Sequence, residues 1–131
     1  MATEILINDG GAPARILPFT AAATVTAGDV VNITSAGKVT PAHTGLAAGF
    51  KENILGYALT TVSADELCSV ITGKGVMLKA NCAAAMTTGK GGHLGAVAGQ
   101  LALNIVLAEP AAMVAVDSTG SAAGLKTIVT I

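Results

Sequence analysis

Short apolar stretches alternate with glycine-containing polar turns along the whole chain. The stretches are too short for helices of ordinary length and are rich in β-branched residues, which favours strands. Turn signals recur at intervals of roughly 8–12 residues, a spacing typical of a β sandwich or barrel. The clearest predicted strands are residues 30–34, 55–61, 67–71, 76–78 and 125–131.

The same order of turns and strands occurs twice. Gly28 and Gly37 of the first copy correspond to Gly89 and Gly99 of the second, at offsets of 61 (89 − 28) and 62 (99 − 37). Residues 58–71 correspond to 115–129 at offsets of 57 and 58. The sequence therefore predicts a mainly β fold, a small β barrel or sandwich-like domain built from a degenerate duplicated turn–strand unit.

The length of 131 residues fits one domain. We expect an extended N-terminal arm or edge strand at residues 1–19, followed by a single β domain at 20–131 with repeat units at about 20–80 and 81–131. Helical periodicity is weak, and residues 82–86 are the one short helix candidate. Gly73-Lys74-Gly75 predicts a short hairpin between two strands.

The composition is 52% hydrophobic and only 11% charged, with a net charge of −1. So few charges leave little to keep a free surface solvated, and with two Phe, one Tyr and no Trp the core buries little area per residue. We therefore expect oligomerisation or docking to stabilise the domain. Scattered basic residues argue against a nucleic-acid partner, and the lack of a long apolar run argues against a membrane span.

Catalytic and metal-binding patterns are absent from the sequence. Cys82 and His93, the closest pair of soft metal ligands, stand eleven residues apart (93 − 82), whereas zinc sites usually place two ligands within two to five residues. Gly89-Lys90-Gly91-Gly92 lacks the spacing of a phosphate-binding loop, so its glycines are better explained as turn residues. We expect no enzyme activity, no catalytic residue, no metal and no cofactor, with Cys68 and Cys82 as reduced core residues.

Four motifs follow one another in the first copy, and their order is informative. They are Thr26-Ala27-Gly28-Asp29-Val30-Val31, Gly37-Lys38-Val39-Thr40-Pro41-Ala42, Ile54-Leu55-Gly56-Tyr57-Ala58-Leu59-Thr60 and residues 70–76. This order resembles the small β-rich capsid decoration (cement, or head-stabilising) proteins of tailed bacteriophages. The resemblance covers roughly residues 20–131, and the second copy departs from it where Lys90-Gly91-Gly92 replaces an apolar stretch.

The resemblance implies a structural virion protein without catalytic residues or cofactors. Proteins of this kind bind the outer surface of the phage head, often as trimers, and stabilise contacts between neighbouring major capsid protein subunits. The expected partners are therefore the major capsid protein and further copies of this chain, in a trimer, with no nucleic acid and no membrane. The expected location is the host cytoplasm during assembly and then the outer capsid surface of the virion.

The N-terminal arm is the expected contact region, because it lies outside both repeats. An extended arm can add a strand to a neighbouring sheet and gain backbone hydrogen bonds without large side chains. The alternative is that the same residues form the first strand of the domain's own core. The residues expected to contact the capsid or a neighbouring protomer are Ile5, Leu6, Ile7, Arg15, Ile16, Leu17 and Phe19.

A second function remains open from the sequence. The chain is also compatible with a β module associated with a phage tail, baseplate or fibre, with a receptor- or carbohydrate-binding role. A carbohydrate site usually needs an exposed aromatic platform, and Tyr57 is almost alone as a candidate.

Overall fold

The structure, a computed structural model, describes residues 5–8, 15–42, 54–83, 89, 91–94, 98–103, 113–116 and 123–130. These residues form eleven strands and no helix. The strands are β1 (Leu6–Asn8), β2 (Arg15–Thr20), β3 (Val30–Ile33), β4 (Val39–Pro41), β5 (Gly56–Ala58), β6 (Leu67–Thr72), β7 (Met77–Cys82), β8 (Gly91–Leu94), β9 (Leu101–Leu103), β10 (Met113–Ala115) and β11 (Gly124–Thr130).

The strands form two sheets with the same internal order. The first sheet runs β2-β6-β5-β3-β4, and the second runs β1-β7-β11-β10-β8-β9. Replacing each strand of the first sheet by the strand five places later in the chain gives β7-β11-β10-β8-β9, which is the second sheet without β1. The described residues therefore form two copies of one five-stranded unit, a first unit (β2–β6) and a second unit (β7–β11).

The two units also share their strand register. Val30 pairs with Tyr57 in the first unit, and Gly91 pairs with Val114 in the second, at the offsets of 61 and 57 that the sequence repeat predicts. The other three antiparallel ladders of each unit match in the same way. Because a slip of one residue would turn every side chain to the other face, matched registers show that duplication extends to the placement of each side chain.

Each unit nearly closes into a barrel through a parallel contact between its first and last strands in the sheet. In the second unit β7 pairs with β9, and in the first unit a parallel bridge joins the residue after β2 to β4. Ala83 N–H donates to Leu101 O and Ala22 N–H donates to Val39 O, both at 2.7 Å. The prediction of a small β barrel or sandwich-like domain is confirmed.

Four equivalent turn glycines confirm the repeat at the level of backbone conformation. Gly28 and Gly37 have φ of 93° and 78°, and Gly89 and Gly99 have φ of 80° and 83°. Residues with a Cβ rarely adopt such angles, whereas glycine adopts them readily. Of the glycines that suggest a phosphate loop, Gly89 is thus a turn residue, whereas the prediction is wrong for Gly91 and Gly92, which lie in β8.

Two apolar clusters fill the structure. One lies inside the first unit and contains Ala21, Val25, Val31, Val39, Ala58, Cys68 and Val70. The other occupies the second unit and extends to the outer face of the first, through the side chains of Ile5, Val30, Ala42, Tyr57, Ile71, Val76, Leu78, Ala80, Cys82, Leu101, Met113, Ala115 and Ile128. Since neighbouring residues of a strand face opposite sides, Val30 belongs to one cluster and Val31 to the other.

Two predicted boundaries fall inside strands. The boundary between residues 19 and 20 lies within β2, and the boundary between residues 80 and 81 lies within β7. Residues 6–8 form β1 and residues 15–19 belong to β2, and each of these strands lies at the edge of its sheet. Of the two predicted forms of the N-terminal segment, an arm or an edge strand, these residues form edge strands. Long-range pairing of β2 with β6 and of β7 with β11 sets the true unit limits, and no local pattern encodes that pairing.

Two local predictions are wrong. Cys82 ends β7 and is not the start of a helix, while residues 84–86 of that candidate lie outside the described residues. Gly73 and Gly75 have positive φ and make a tight turn, but β6 and β7 on either side belong to different sheets. The turn therefore connects the two units and does not close a hairpin. The strands predicted at 30–34, 55–61, 67–71 and 125–131 correspond to β3, β5, β6 and β11.

The position of Ile5 gives a stability prediction. Its side chain is 1% exposed within the larger cluster, and its carbonyl accepts a hydrogen bond from Lys79 N–H at 2.8 Å. We expect Ile5→Ala to lower the free energy of unfolding by about 2–5 kcal/mol, because it leaves a cavity in the core. Ile16→Ala, at a side chain that is 46% exposed, is the matched control and should cost well under half as much. Denaturant unfolding measures both; equal losses would contradict the placement of Ile5.

Candidate functional site

The two units meet at a junction that includes Gly28 and Asp29 of the first unit and Asn81 and Gly99 of the second. Gly28, in the turn before β3, presents its carbonyl to β7 and accepts a hydrogen bond from Asn81 N–H at 2.8 Å. A Cβ at Gly28 would overlap Leu125 Cδ2 and would lie 3.4 Å from Lys79 O. The φ of 93° favours glycine at this position, and a Cβ there would also have to displace the Leu125 side chain.

A buried carboxyl completes the junction. Asp29 is 6% exposed; its Oδ2 accepts a hydrogen bond from Thr26 N–H at 3.0 Å, and its Oδ1 accepts one from Asn81 Nδ2 at 3.3 Å. Gly99 lies against it, so close that a Cβ there would be 2.7 Å from Asp29 Cγ. Val30 N–H also donates to Gly99 O at 3.1 Å. The junction is therefore held by short polar contacts that depend on the absence of a side chain at residue 99.

Burial determines the protonation behaviour of Asp29. Desolvation raises the pKa of its carboxyl above the ordinary value, and the hydrogen bonds from Thr26 and Asn81 oppose that rise only in part. The folded protein therefore favours the protonated form of the Asp29 carboxyl more than water does. The same pattern of a buried carboxyl can mark an active site, but here it lies at a contact between units and has no neighbouring catalytic group among its hydrogen-bond partners.

The residues predicted to make contacts divide into buried and exposed ones. Ile5 is in the core and is not available to a partner surface in this conformation, which removes it from the predicted contact set. Leu6 and Ile7 lie in β1, and Phe19 is half-buried against the core of the first unit. The exposed ones are neighbours on β2: Arg15, Ile16 and Leu17.

Sequence reasoning missed Leu67, which is the most exposed large apolar side chain of the described residues at 67%. It lies on β6 and pairs with Thr20 at the end of β2, close to the predicted contact strand. The sequence repeat carried no signal of this exposure, since it shows only that Leu67 corresponds to Leu125 at an offset of 58 (125 − 67). In the structure Leu125 reaches Gly28 and is 37% exposed, less than Leu67.

The described residues offer little for catalysis or metal binding. Cys68 and Cys82 are buried free thiols, and burial raises the pKa of both, that of Cys82 to about 11. At neutral pH they are protonated and poorly nucleophilic. Across the described ranges no group of three or more His, Cys, Asp or Glu side chains could hold a metal ion. His43 and the side chain of His93 lie outside what the structure describes.

Comparison with known proteins adds no family. No protein-family model matches the chain, and no curated protein matches its sequence. A separate structural finding concerns membranes: the described part of the chain contains no helix long and apolar enough to cross one. Function is therefore inferred from the fold, the exposed surface and the resemblance of the motifs.

The first prediction for the junction concerns Gly99. We expect Gly99→Ala to lose about 1–2 kcal/mol from the positive φ and a further 1–3 kcal/mol from overlap with the Asp29 carboxyl. Gly75→Ala is the matched control, because Gly75 has a φ of 71° and a Cβ added there would meet no atom within 4 Å. Chemical denaturation should show a larger loss for Gly99→Ala, and equal losses would refute the close contact.

The second prediction concerns the pH dependence of Asp29. Because its folded-state pKa lies above the ordinary value of 3.8, the folded protein holds this proton more tightly than the unfolded chain does. Its contribution to stability is present below pH 3.8 and is lost as the pH rises through the raised pKa. As the pH rises from 3.8 through the raised pKa, the free energy of unfolding of the wild type should therefore fall relative to that of Asp29→Asn.

Asp65→Asn is the control for that measurement, since Asp65 is an exposed carboxylate, 78% exposed at its side chain. Denaturant midpoints measured from pH 3.5 to 6.5 would show the difference between wild type and variant. A difference for Asp29→Asn that is flat, or that grows in favour of the wild type as the pH rises, contradicts the raised pKa.

Proposed function

We propose that this protein is a capsid decoration protein of a tailed bacteriophage, a structural virion component and not an enzyme. It binds the major capsid protein on the outer surface of the head and stabilises contacts between neighbouring capsid subunits. The observation that carries the proposal is the exposed apolar end of an edge strand, at Ile16 and Leu17, on a charge-poor β domain. Ile16 and Leu17 face opposite sides of β2, so both faces of this strand end offer apolar side chains to a partner.

The positions of the resembling motifs support the same proposal. Thr26-Ala27-Gly28-Asp29-Val30-Val31 forms the turn into β3, and the motif that starts at Gly37 forms the turn into β4. The motif around Gly56-Tyr57-Ala58 is β5. Each of these three motifs is thus a structural element of the first unit, so the resemblance rests on elements that the fold contains.

In the proposed mechanism each copy buries a small apolar surface against the capsid, and many such contacts act together. Each buried Å² of apolar surface contributes about 25 cal/mol, so a small patch gives weak binding by itself. An oligomer that engages several capsid subunits at once gains further through a high effective concentration. Weak single contacts then add up to a stable layer on the head.

The structure favours side-chain contacts over strand addition at β2. On β7, Lys79 N–H donates to Ile5 O and so holds β1 at the sheet edge. The equivalent residue of β2, at an offset of 61 (79 − 18), is Pro18, which has no N–H. A strand added to β2 would lack that hydrogen bond. The contact with the capsid is therefore expected to use the side chains of Arg15, Ile16 and Leu17.

The alternative, a receptor- or carbohydrate-binding tail or fibre module, is less well supported. Tyr57 is 3% exposed and forms part of the larger cluster. Phe19 is half-buried against the first-unit core. Neither of these described rings is available as a flat platform for a sugar, whereas the apolar edge of β2 fits a protein surface.

Co-sedimentation with expanded capsids that lack this protein tests the proposal. We expect wild-type protein to pellet with the capsids and Ile16→Glu to bind at least about tenfold more weakly, because the charge would be buried at the contact. Ile33→Glu is the matched control, since Ile33 is 45% exposed but lies on β3, between two other strands. Wild-type protein that stays in the supernatant at saturating concentration would overturn the proposal.

A further inference from the structure

The start of β2 is uncovered on both faces of the strand. Arg15, Ile16, Leu17 and Pro18 are four consecutive exposed residues, although β2 pairs with β6 along its whole length. Because neighbouring residues of a strand face opposite sides, four exposed residues in a row mean that neither face is packed against the rest of the protein. A partner that covers this strand end must therefore contact it from both sides.

The equivalent strand of the second unit is covered. Arg15 and Leu17 correspond to Val76 and Leu78 at an offset of 61 (76 − 15 and 78 − 17), and those two residues are 1% and 0% exposed. There β1 lies beside β7, with Leu6 opposite Leu78. In the described part of the chain no strand lies beside residues 15–20 on the side away from β6. The exposure of β2 is thus a difference between the units and not a general property of this strand position.

Two positive charges lie at the same end of the β2–β6 pair. Arg15 is opposite Thr72, the last residue of β6, and Lys74 follows two residues later in the exposed turn that connects the units. The ion pair found among the described residues joins Lys38 to Asp65, so neither Arg15 nor Lys74 has a carboxylate partner there. Both cations are therefore available to a partner.

The acidic residues that the structure describes lie away from this end. Asp65 and Glu66 come before β6 and Lys74 comes after it, and the six residues of β6 span about 20 Å. Asp29 is buried at the junction. The uncovered strand end is therefore apolar on both faces and positively charged beside them. We call it the β2 tip, which consists of Arg15, Ile16, Leu17, Pro18 and Lys74.

We propose that the β2 tip inserts into a groove of the major capsid protein that has apolar walls and presents carboxylates to Arg15 and Lys74. This inference rests on the proposed capsid binding and names the chemistry of the surface that is bound. A groove is required because a flat surface would cover Ile16 or Leu17 but not both. Carboxylates are required because cations that lose water at a contact need opposite charges in compensation.

The residues of the β2 tip have different roles in such a contact. Ile16 and Leu17 supply the apolar area, 46% and 40% of each side chain being exposed before binding. Arg15 suits a carboxylate that accepts two parallel hydrogen bonds, whereas Lys74 acts as a point charge. Pro18 has no N–H, so the partner gains nothing at that residue by pairing as a strand. Matching charges then determine the orientation and the rate of docking more than its total affinity.

Zero-length cross-linking on capsids tests the charge contact. A water-soluble carbodiimide joins an amine and a carboxylate as an amide, with loss of water, only where the two groups meet. We expect wild-type protein bound to expanded capsids to give a product that joins Lys74 to the major capsid protein, identified by peptide mass spectrometry. Lys74→Arg keeps the charge without the reactive amine, so it should lose this product while its Kd stays within about twofold of the wild-type value.

Capsid-binding affinities test the contribution of the charges. Arg15→Gln and Lys74→Gln should each weaken binding about three- to tenfold, because a carboxylate of the capsid then loses its partner. Raising the salt concentration from about 50 mM to about 500 mM should weaken wild-type binding by a similar factor through screening. Lys38→Gln is the matched control, since it removes one positive charge that already has a partner in Asp65. It should change the Kd by less than about twofold.

The outcomes distinguish this inference from the proposed function. If the wild type binds capsids but gives no cross-link at Lys74, or if binding is insensitive to salt and to both glutamine variants, the acidic groove is wrong and capsid decoration stands. An equal loss for Lys38→Gln would also overturn the groove, because the effect would then follow net charge and not position. Wild-type protein that does not bind capsids overturns both proposals. Thermal unfolding checks that each variant is folded.

Discussion

The junction between the two units depends on two glycines that leave room for neighbouring atoms. Gly28 brings its carbonyl to Asn81 N–H, and Gly99 leaves room for the Asp29 carboxyl. Both glycines adopt positive φ, so the sequence must keep glycine for two independent reasons. The shared apolar cluster forms around this contact, because Val30 follows Asp29 directly and enters that cluster. The junction therefore lies beside the apolar cluster that the two units share.

Duplication explains both the order of the fold and its exposed apolar side chains. The outer face of the first unit is buried in the shared cluster through Tyr57 and Ile71, whereas the equivalent Val114 and Val129 of the second unit are half-buried. Leu67 is 67% exposed, and its equivalent Leu125 is still 37% exposed although it reaches Gly28. Exposed leucine and valine on a small domain are otherwise costly for solubility. Their presence is a consequence of the repeat and a reason to expect further assembly.

The sequence repeat predicts much of the fold, because the spacing of its turn glycines gives the residue offsets between equivalent strands of the two units. Gly89 and Gly99 predict β8 and β9 although Lys90-Gly91-Gly92 weakens the apolar pattern. The equivalence of β2 and β7 is not predictable, since their sequences share little and their pairing partners lie more than 40 residues away. Burial of Ile5 likewise depends on β7, and the exposure of Leu67 is visible only once the junction is known.

Pro18 has a consequence for the behaviour of newly made protein at high concentration. Edge strands with free backbone donors can template the growth of a continuous sheet from copy to copy, which leads to aggregates. On β2 the proline interrupts the row of donors at the edge of its sheet, and at the edge of the other sheet β1 is only three residues long. Both sheet edges next to the N-terminus are therefore poor templates for amyloid-like polymerisation, which keeps copies available for ordered contacts.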